Sequence, residues 1–423
     1  MESQIAAIAG RTLRSESPSD SRVDFHIAFG SPAFFKANVA LFAAGFVTFA
    51  LLYCVQPLLP LLSSDFHLRP ATTSLAISVS TAALAVSLLL ISTISDSFDR
   101  KKLMGYSLTI ASILAVISGL MPGFSGVLVL RALEGFALSG LPAVAMAYLS
   151  EEIEPKSLGT AMGLYVGETA FGGMSGRLIS GILSDFFSWR VSVVAIGTLG
   201  LAACALFWWL LPESKYFKRQ PIRTISLFRL AADQIRDSAL RPLFLIGMLL
   251  MGVFVTIYNY IGFRLLAPPF NLDQSVIAFL FIVYLVGVVS STFAGRLADR
   301  IGKRRTLMAM VALMLASIVL TLSGQLSLII FGVAGATFGF FGGHSVASSW
   351  VSQGARTSRA LASALYLFSY YFGSSVLGSL NGIVWQTGRW PGVVAVLGAL
   401  LIVALMILTR VESGAHDSIA DSI

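Results

Sequence analysis

The chain has 423 residues, of which 56% are hydrophobic and only 12% are charged, and its mean hydropathy is +0.83. These values exclude an ordinary soluble domain and indicate a protein of the lipid bilayer. The formal net charge of +8 lies mostly in short loops between apolar runs. This charge therefore reflects membrane topology and attraction to anionic lipid headgroups, and it argues against binding of nucleic acid.

Twelve apolar runs are long enough to cross about 30 Å of hydrocarbon, and hydrocarbon requires each of them to be helical. By residue number they are 37–62, 71–91, 103–120, 126–149, 158–183 and 191–211, then 242–267, 275–294, 306–323, 326–351, 360–385 and 391–409. The predicted fold class is an all-α integral membrane protein with twelve transmembrane helices in two pseudo-symmetric six-helix halves, 37–211 and 242–409. Residues 1–36 are predicted to be a disordered tail, 212–241 a basic linker with a surface helix, and 410–423 a second tail.

The distribution of basic residues predicts the sidedness, because Lys and Arg near span ends are retained in the cytoplasm. If both termini share one side, 23 of the 29 Lys and Arg residues lie on that side, three lie in the opposite loops and three lie within spans. Both termini are therefore predicted to be cytoplasmic.

A decapeptide joins the second and third runs of each half. It reads GRLADRIGKR from Gly295 to Arg304 and STISDSFDRK from Ser92 to Lys101, and its two aspartates, Asp96 and Asp299, are 203 residues apart. A duplicated membrane half is typical of secondary transporters.

Ionisable groups within spans are costly, so each one is a candidate for function. The chain has six of them: Arg131, Glu134, Glu168, Arg177, Arg264 and His344. Arg131 and Glu134 share a helical face and can pair, either as part of a proton-coupling network or as an ion pair that only fixes packing. Glu168 has no charged partner nearby in sequence, and a carboxyl group at this depth suits proton coupling. The predicted proton-coupling residues are Glu168, Glu134 and Arg131.

Aromatic and amide side chains are predicted to line a cavity for a small molecule of mixed polarity. The candidates are Tyr53, Gln56, Tyr258, Asn259, His344, Tyr366 and Tyr370. The alternative for each tyrosine is helix packing with one hydrogen bond, and for His344 a hydrogen-bonded packing role is favoured over a proton switch. Arg177 is predicted to extend to the headgroups, whereas Arg264 could face a wet cavity. Cys54 and Cys204 lie in apolar runs, and no metal site or cofactor is indicated.

The duplicated loop, the twelve spans and the central linker resemble the major facilitator superfamily over nearly the whole chain. Arg131-Ala-Leu-Glu134-Gly135 is similar to that family's second motif, whose arginine is associated with proton coupling. Gly163, Gly167 and Gly172 resemble the fifth-span motif of the twelve-span drug/proton antiporters, although Glu168 stands where that motif has proline.

Four further segments resemble the YnfM-type subgroup of bacterial inner-membrane transport proteins, which are commonly described as predicted efflux permeases. They are Leu52–Pro57, Gly172–Arg177, His344–Trp350 and Tyr366–Tyr371. The resemblance implies a bacterial inner-membrane location and a cavity between the halves that opens alternately to either side.

The resemblance also implies that the repeated loop is an inner gate that breaks when the cytoplasmic side opens. Its residues would be Asp96, Arg100, Lys101, Gly295, Asp299, Arg300, Gly302 and Arg304, with Arg359 as a partner for Asp96. Asp99 replaces the family's glycine in the first copy, so that copy is expected to be the weaker latch.

The predicted function is secondary active transport by alternating access, most directly proton-coupled efflux of a sugar-like or drug-like solute. Proton symport and facilitated diffusion are the alternatives within transport. A membrane-embedded enzyme or sensor is a remote alternative, because it would need a clustered nucleophile and base, or metal ligands, at membrane depth. The predicted partners are a small-molecule substrate, protons and the lipid bilayer, and the predicted oligomeric state is a monomer, because twelve spans can enclose a pathway alone.

Overall fold

The computed structural model describes residues 26–217, 219, 231–355 and 358–411. The first half contains α1 (Pro32–Tyr53), α2 (Leu59–Asp65), α3 (Pro70–Thr73), α4 (Leu75–Ile94), α5 (Arg100–Gly119), α6 (Phe124–Leu138), α7 (Gly140–Glu152), α8 (Pro155–Phe186) and α9 (Trp189–Leu210). The second half contains α10 (Arg241–Leu266), α11 (Gln274–Phe279), α12 (Leu285–Ile301), α13 (Lys303–Leu320), α14 (Leu326–Gly354) and α15 (Arg359–Arg410). Short 3₁₀ helices cover Ser95–Ser97 and Leu280–Tyr284.

Nine stretches of helix in the described residues are long and apolar enough to cross a membrane. The last of these stretches, in α15, contains two of the predicted spans. A bend at Arg389, whose φ is 48° and whose ψ is −151°, separates them. The two remaining predicted spans lie in α8 and α13. All twelve predicted runs therefore fall on helices, which confirms the predicted fold class.

Prolines mark two places where a predicted span breaks into two helices. Pro57 lies between α1 and α2, and Pro142 lies in the first turn of α7, directly after α6 ends at Leu138. Proline cannot donate the backbone hydrogen bond of a helix interior, so it is tolerated at a helix start or in a break. The first break leaves Gln56 in a turn between α1 and α2, where it points toward the second half.

The predicted disordered tail is wrong for its described part. Helix α1 begins at Pro32, and Ile27 is buried and forms a parallel bridge with Ile153, donating to the carbonyl of Glu152 over 2.8 Å. The Phe29 amide donates to Glu154, and this hydrogen bond lowers the pKa of the Glu154 carboxyl. Residues 26–31 thus pack on the end of α7, while 1–25 lie outside the described residues.

The linker and the C-terminal tail are described only in part. Residues 220–230, which include most of the predicted surface helix, and 412–423 lie outside the described part of the chain. In the described part, Glu213 pairs with Lys101 over 3.0 Å and Pro212 accepts a hydrogen bond from Tyr148. The start of the linker therefore packs on the first half.

Candidate functional site

The two copies of the repeated loop lie at one end of the bundle, which we call the motif end. The helices alternate in direction, so α4 and α12 finish at this end, whereas α8 and α10 finish at the other. This distinction locates the contacts between the two halves.

Hydrogen bonds between the halves lie toward the end opposite the motif end. They join Gln56 to Asn259, Gln274 to the Pro57 carbonyl, Ser275 to Asp185, and Ser375 and Ser379 to Ser78. Among the residues that the structure describes, no hydrogen bond or ion pair joins the two halves at the motif end. The described hydrogen bonds therefore hold the two halves together at the far end.

The structure brings Arg131 and Glu134 together in the core of the first half. Arg131 Nη1 lies 2.8 Å from Glu134 Oε2, and both side chains are fully buried. The same guanidinium donates to the backbone carbonyls of Leu51, Leu52 and Ala76 over 3.0, 2.6 and 3.1 Å. Arg131 therefore ties α6 to the end of α1 and the start of α4, all within one half.

Glu168 lies in the contact between α8 and α1. Its side chain is fully buried, and neither carboxyl oxygen has a hydrogen-bond partner among the described residues. A Cβ added to Gly45 would lie 1.7 Å from Glu168 Oε1, so the carboxyl occupies the space that this glycine leaves. Gly172 and Gly176 follow at four-residue spacing and pack directly on the backbone of α1. The carboxyl group is thus enclosed by helix packing, and no described residue provides a counter-ion.

The prediction for Arg177 is wrong. Its side chain is 1% exposed instead of reaching the headgroups. Nε donates to Gln56 Oε1 and Nη1 donates to the Gly173 carbonyl, each over 2.6 Å. The guanidinium lies 4.0 Å from the ring centre of Tyr53 and 4.6 Å from that of Tyr284. The break at Pro57 places Gln56 within its reach, and the ring from the second half covers it, so a path to the headgroups is not needed.

Gln56 connects Arg177 to the second half. Its Oε1 accepts from Arg177, and its Nε2 donates to Asn259 Oδ1 over 2.7 Å and to the Val255 carbonyl over 3.4 Å. Two residues predicted to line the cavity, Gln56 and Asn259, are therefore in direct contact across the interface between the halves.

The other predicted cavity residues of the second half form an aromatic cluster. His344 Nδ1 lies 3.0 Å from the Tyr366 hydroxyl, and the ring centres of His344 and Tyr370 are 4.7 Å apart. The Tyr258 hydroxyl lies 2.8 Å from Thr337 Oγ1. Tyr258 and Tyr366 are buried with one hydrogen bond each, as the packing alternative expects, whereas His344 and Tyr370 are partly exposed near mid-span. The last two are thus the more accessible members of this cluster.

The first copy of the repeated loop is held within its own half. Arg100 binds both carboxylate oxygens of Glu151 over 2.7 and 3.2 Å, and Lys101 binds Glu213 of the linker. Asp99 Oδ1 accepts from the Lys102 amide over 2.9 Å and caps α5. The Asp96 side chain lies outside the described part, so its proposed pairing is not observed here.

The second copy of the loop has a rigid turn and a free acidic residue. Gly302 has a φ of 89°, which favours glycine, and Arg304 donates to the carbonyls of Leu408 and Thr409 at the end of α15. Asp299 is exposed and forms no hydrogen bond or ion pair with a described residue. Arg300, Arg359 and Gly295 likewise make no gate contact within the described residues. No gate contact is therefore observed for these residues in the described part of the chain.

Arg264 caps a helix instead of facing a cavity. Its guanidinium donates to the carbonyls of Thr321 and Ser323, the latter over 2.8 Å, at the carboxyl end of α13. A cation is favourable there because the last carbonyls of a helix carry partial negative charge.

Phe281 and Tyr284 belong to the site, although they were absent from the candidates predicted by sequence. Both lie in the short 3₁₀ helix Leu280–Tyr284 of the second half, within 5.6 and 4.6 Å of the Arg177 guanidinium as measured to their ring centres. The signal available in the sequence was Tyr284, a polar aromatic residue in the middle of the eighth apolar run. Its partner could not be identified without knowing how the halves meet.

Comparison with known proteins gives consistent relatives. The family model described as Major Facilitator Superfamily matches residues 41–375 and 243–420. The chain is 46% identical over 380 residues to the uncharacterized MFS-type transporter YybF of Bacillus subtilis (strain 168), covering 90% of this chain and 94% of that protein. It is 44% identical over 402 residues to the inner membrane transport protein YnfM of Escherichia coli (strain K12), covering 95% and 96%.

Solved structures share the fold at low sequence identity. The nucleoside transporter NupG is 14% identical with a TM-score of 0.73, covering 88% of this chain and 99% of that one. A bacterial homologue of the human lysosomal transporter Spinster, in an inward-facing and unoccupied conformation, is 15% identical with a TM-score of 0.68, covering 92% and 96%.

Proposed function

Since the chain belongs to the major facilitator superfamily and is a multi-pass membrane transporter of the bacterial inner membrane, we propose that it moves a small organic solute in a proton-coupled, alternating-access cycle. The observation that supports proton coupling best is the Glu168 carboxyl, which is fully buried between α1 and α8 without a hydrogen-bond partner among the described residues. Burying a charge without a partner is costly, so binding and release of a proton changes how well this contact packs.

Glu168 is a better candidate for the proton carrier than Glu134. Glu134 is held at 2.8 Å by Arg131, which also ties together backbone carbonyls within a single half. Such a pair suits a structural role, because breaking it leaves a buried charge alone. Glu168 instead lies on α8, the helix that also bears Arg177 at the interface between the halves.

The distribution of contacts supports alternating access. The hydrogen bonds between the halves are few, are made by neutral groups apart from the Asp185 carboxylate, and lie toward one end, so they can be exchanged for contacts at the other end. With cytoplasmic termini, the motif end is cytoplasmic, and halves held together at the far end correspond to an inward-facing conformation. Asp299 and Arg359 would then find partners only when that side closes.

Transport into proteoliposomes tests the proposal. Benzoate, arabinose and ethidium serve as anionic, sugar-like and drug-like probes, with and without an imposed pH gradient. We expect Glu168→Gln to abolish gradient-driven accumulation while exchange of labelled for unlabelled solute continues, because binding and switching persist without the proton. Glu134→Gln is the matched control, with the same isosteric change at the other buried carboxyl. Accumulation that survives in Glu168→Gln and is lost in a folded Glu134→Gln would assign the proton to Glu134 instead.

The direction of transport stays a prediction. Export in exchange for protons is the direction predicted from the sequence, and proton-driven uptake is the second candidate. The same vesicles distinguish them: exchange moves solute against the proton flow, whereas symport moves both together.

A further inference from the structure

We propose that Arg177 is the binding site for an anionic group of the transported solute, so that the substrates are organic anions with an aromatic or apolar body. This inference rests on the proposed transport function and specifies its substrate class. It narrows the predicted small molecule of mixed polarity to an organic anion.

The first support is the lack of a counter-ion. Arg177 is 1% exposed, and no carboxylate among the described residues lies within ion-pair distance of it. Its hydrogen-bond acceptors, Gln56 and the Gly173 carbonyl, are neutral. Buried charges in proteins are normally paired, so a guanidinium held between two halves of a transporter without an acidic residue is incomplete.

The second support is an excess of hydrogen-bond donors around the guanidinium. Arg177 Nη2 makes no hydrogen bond to a described residue, and the Tyr284 hydroxyl is buried without a partner among the described residues. The Tyr284 ring covers the guanidinium, with its centre 4.6 Å away. A carboxylate, sulfonate or phosphate offers only acceptors, so it satisfies such a set where a neutral amine or a cation would not.

The third support is the aromatic enclosure, which explains both the stability of the free site and the preference for an apolar body. The rings of Tyr53, Phe281 and Tyr284 lie 4.0, 5.6 and 4.6 Å from the guanidinium. Ring faces stabilise a cation but do not neutralise it, and they provide a surface on which an aromatic solute stacks. An anion that enters from the motif end would displace one ring contact and keep the rest.

The position of Arg177 connects binding to switching. The guanidinium belongs to the first half, whereas Phe281, Tyr284 and Asn259 belong to the second. An anion held by Arg177 and by the Tyr284 hydroxyl would bridge the halves, and its departure would leave the contact pattern seen here. A purely structural arginine would show no preference for the charge of a ligand.

A charge-matched ligand series tests the inference in the purified full-length protein without any gradient. Benzoate, benzenesulfonate and phenylphosphonate are compared with benzamide and benzylamine by thermal shift and by isothermal titration, at up to about 10 mM ligand. We expect stabilisation by the anions only. Stabilisation by benzamide or benzylamine equal to that by benzoate overturns the proposal, and so does the lack of any anion effect.

Variants then locate the site. Arg177→Gln is expected to weaken binding of the best anion at least tenfold, and Arg177→Lys to restore part of it, because charge persists while the fork of donors is lost. Arg190→Gln removes the same charge at an exposed position of the same half and should bind like the wild type. Unchanged anion affinity in Arg177→Gln overturns the assignment. If Arg177→Gln does not fold, the Arg177→Lys variant and the ligand series still decide.

The two proposals fail separately. Proton coupling that survives in every carboxyl variant would overturn the proton-carrier proposal, and the preference of Arg177 for anions over benzamide and benzylamine would remain. A preference for neutral solutes would overturn the anion site and leave proton-coupled transport in place.

Discussion

Gly172 of α8 packs directly against the backbone of α1, and Gly172→Ala tests how tightly the two helices are joined. A Cβ there would lie 2.2 Å from the Phe46 carbonyl oxygen and 2.7 Å from its Cα. These are backbone atoms of a helix, so they cannot rotate away as a side chain would. Restoring an ordinary contact requires the helices to separate by about 1 Å.

The expected cost follows from comparison with Gly167 on the same helix, where an added Cβ has no neighbour within 4 Å. Both substitutions gain about 1 kcal/mol from the higher helix propensity of alanine, so this gain cancels in the comparison. Overpacking costs about 1–3 kcal/mol and reaches the upper part of that range where both sides are rigid. We therefore expect Gly172→Ala to be less stable than Gly167→Ala by about 3 kcal/mol.

Reversible unfolding of the two variants in mixed micelles, followed by tryptophan fluorescence, gives the difference directly. A gap of under about 1 kcal/mol would refute the argument, because it would mean that α1 and α8 separate at little cost. In that case the enclosure of Glu168 by the same contact would also be doubtful.

Three further predictions concern other contacts. Glu134→Ala leaves the buried Arg131 without its partner, and we expect a loss of about 3–5 kcal/mol in unfolding free energy, measured in the same micelles. Asn259→Ala removes a hydrogen bond between the halves, and we expect cysteine accessibility and spin-label distances to report a larger outward-open population. The hydrogen bonds of Trp189 and Arg190 hold the pKa of Asp65 below its usual 3.8, so its stabilising effect is complete above that pH and is lost as the pH falls below it. Thermal melts should show wild type and Asp65→Asn converging under acid conditions.

The fold could be predicted from the sequence because hydrocarbon imposes helices on long apolar runs and because prolines and loop charges mark their ends. Pairing of Arg131 with Glu134 also followed from their three-residue spacing. The α1–α8 contact at Gly172 was partly visible in the run of glycines. Spacing along one helix suffices for the last two predictions, since each concerns residues that share one face of a single helix.

Contacts between the halves could not be predicted, because they depend on which faces meet and in which conformation. Arg177 looked like a residue near a span end that could reach the headgroups. It is buried because Gln56 sits in the break before Pro57 and because Tyr284 covers it from the second half. Gly163 and Gly167 resemble Gly172 in the sequence, yet neither has an atom close to an added Cβ. Glycines of one sequence motif thus have different structural roles, and only the packing around each glycine distinguishes them.

The positions of Glu168 and Arg177 on α8 determine how proton and solute influence each other. They are nine residues apart, so their α-carbons are separated by about 13 Å along the helix. At an effective dielectric constant of about 20, a charged Glu168 opposes an anion at Arg177 by about 1 kcal/mol, so protonation should raise anion affinity roughly five- to tenfold. The reciprocal effect makes the bound anion favour the proton.

This through-space effect favours movement of proton and anion together, and therefore uptake instead of the exchange predicted from the sequence. Anion affinity measured by titration against pH should therefore increase in acid for the wild type and become independent of pH in Glu168→Gln. The opposite sign, with tighter binding in alkali, would mean that protonation acts through repacking of α8 against α1, and it would restore solute–proton exchange as the mode of transport.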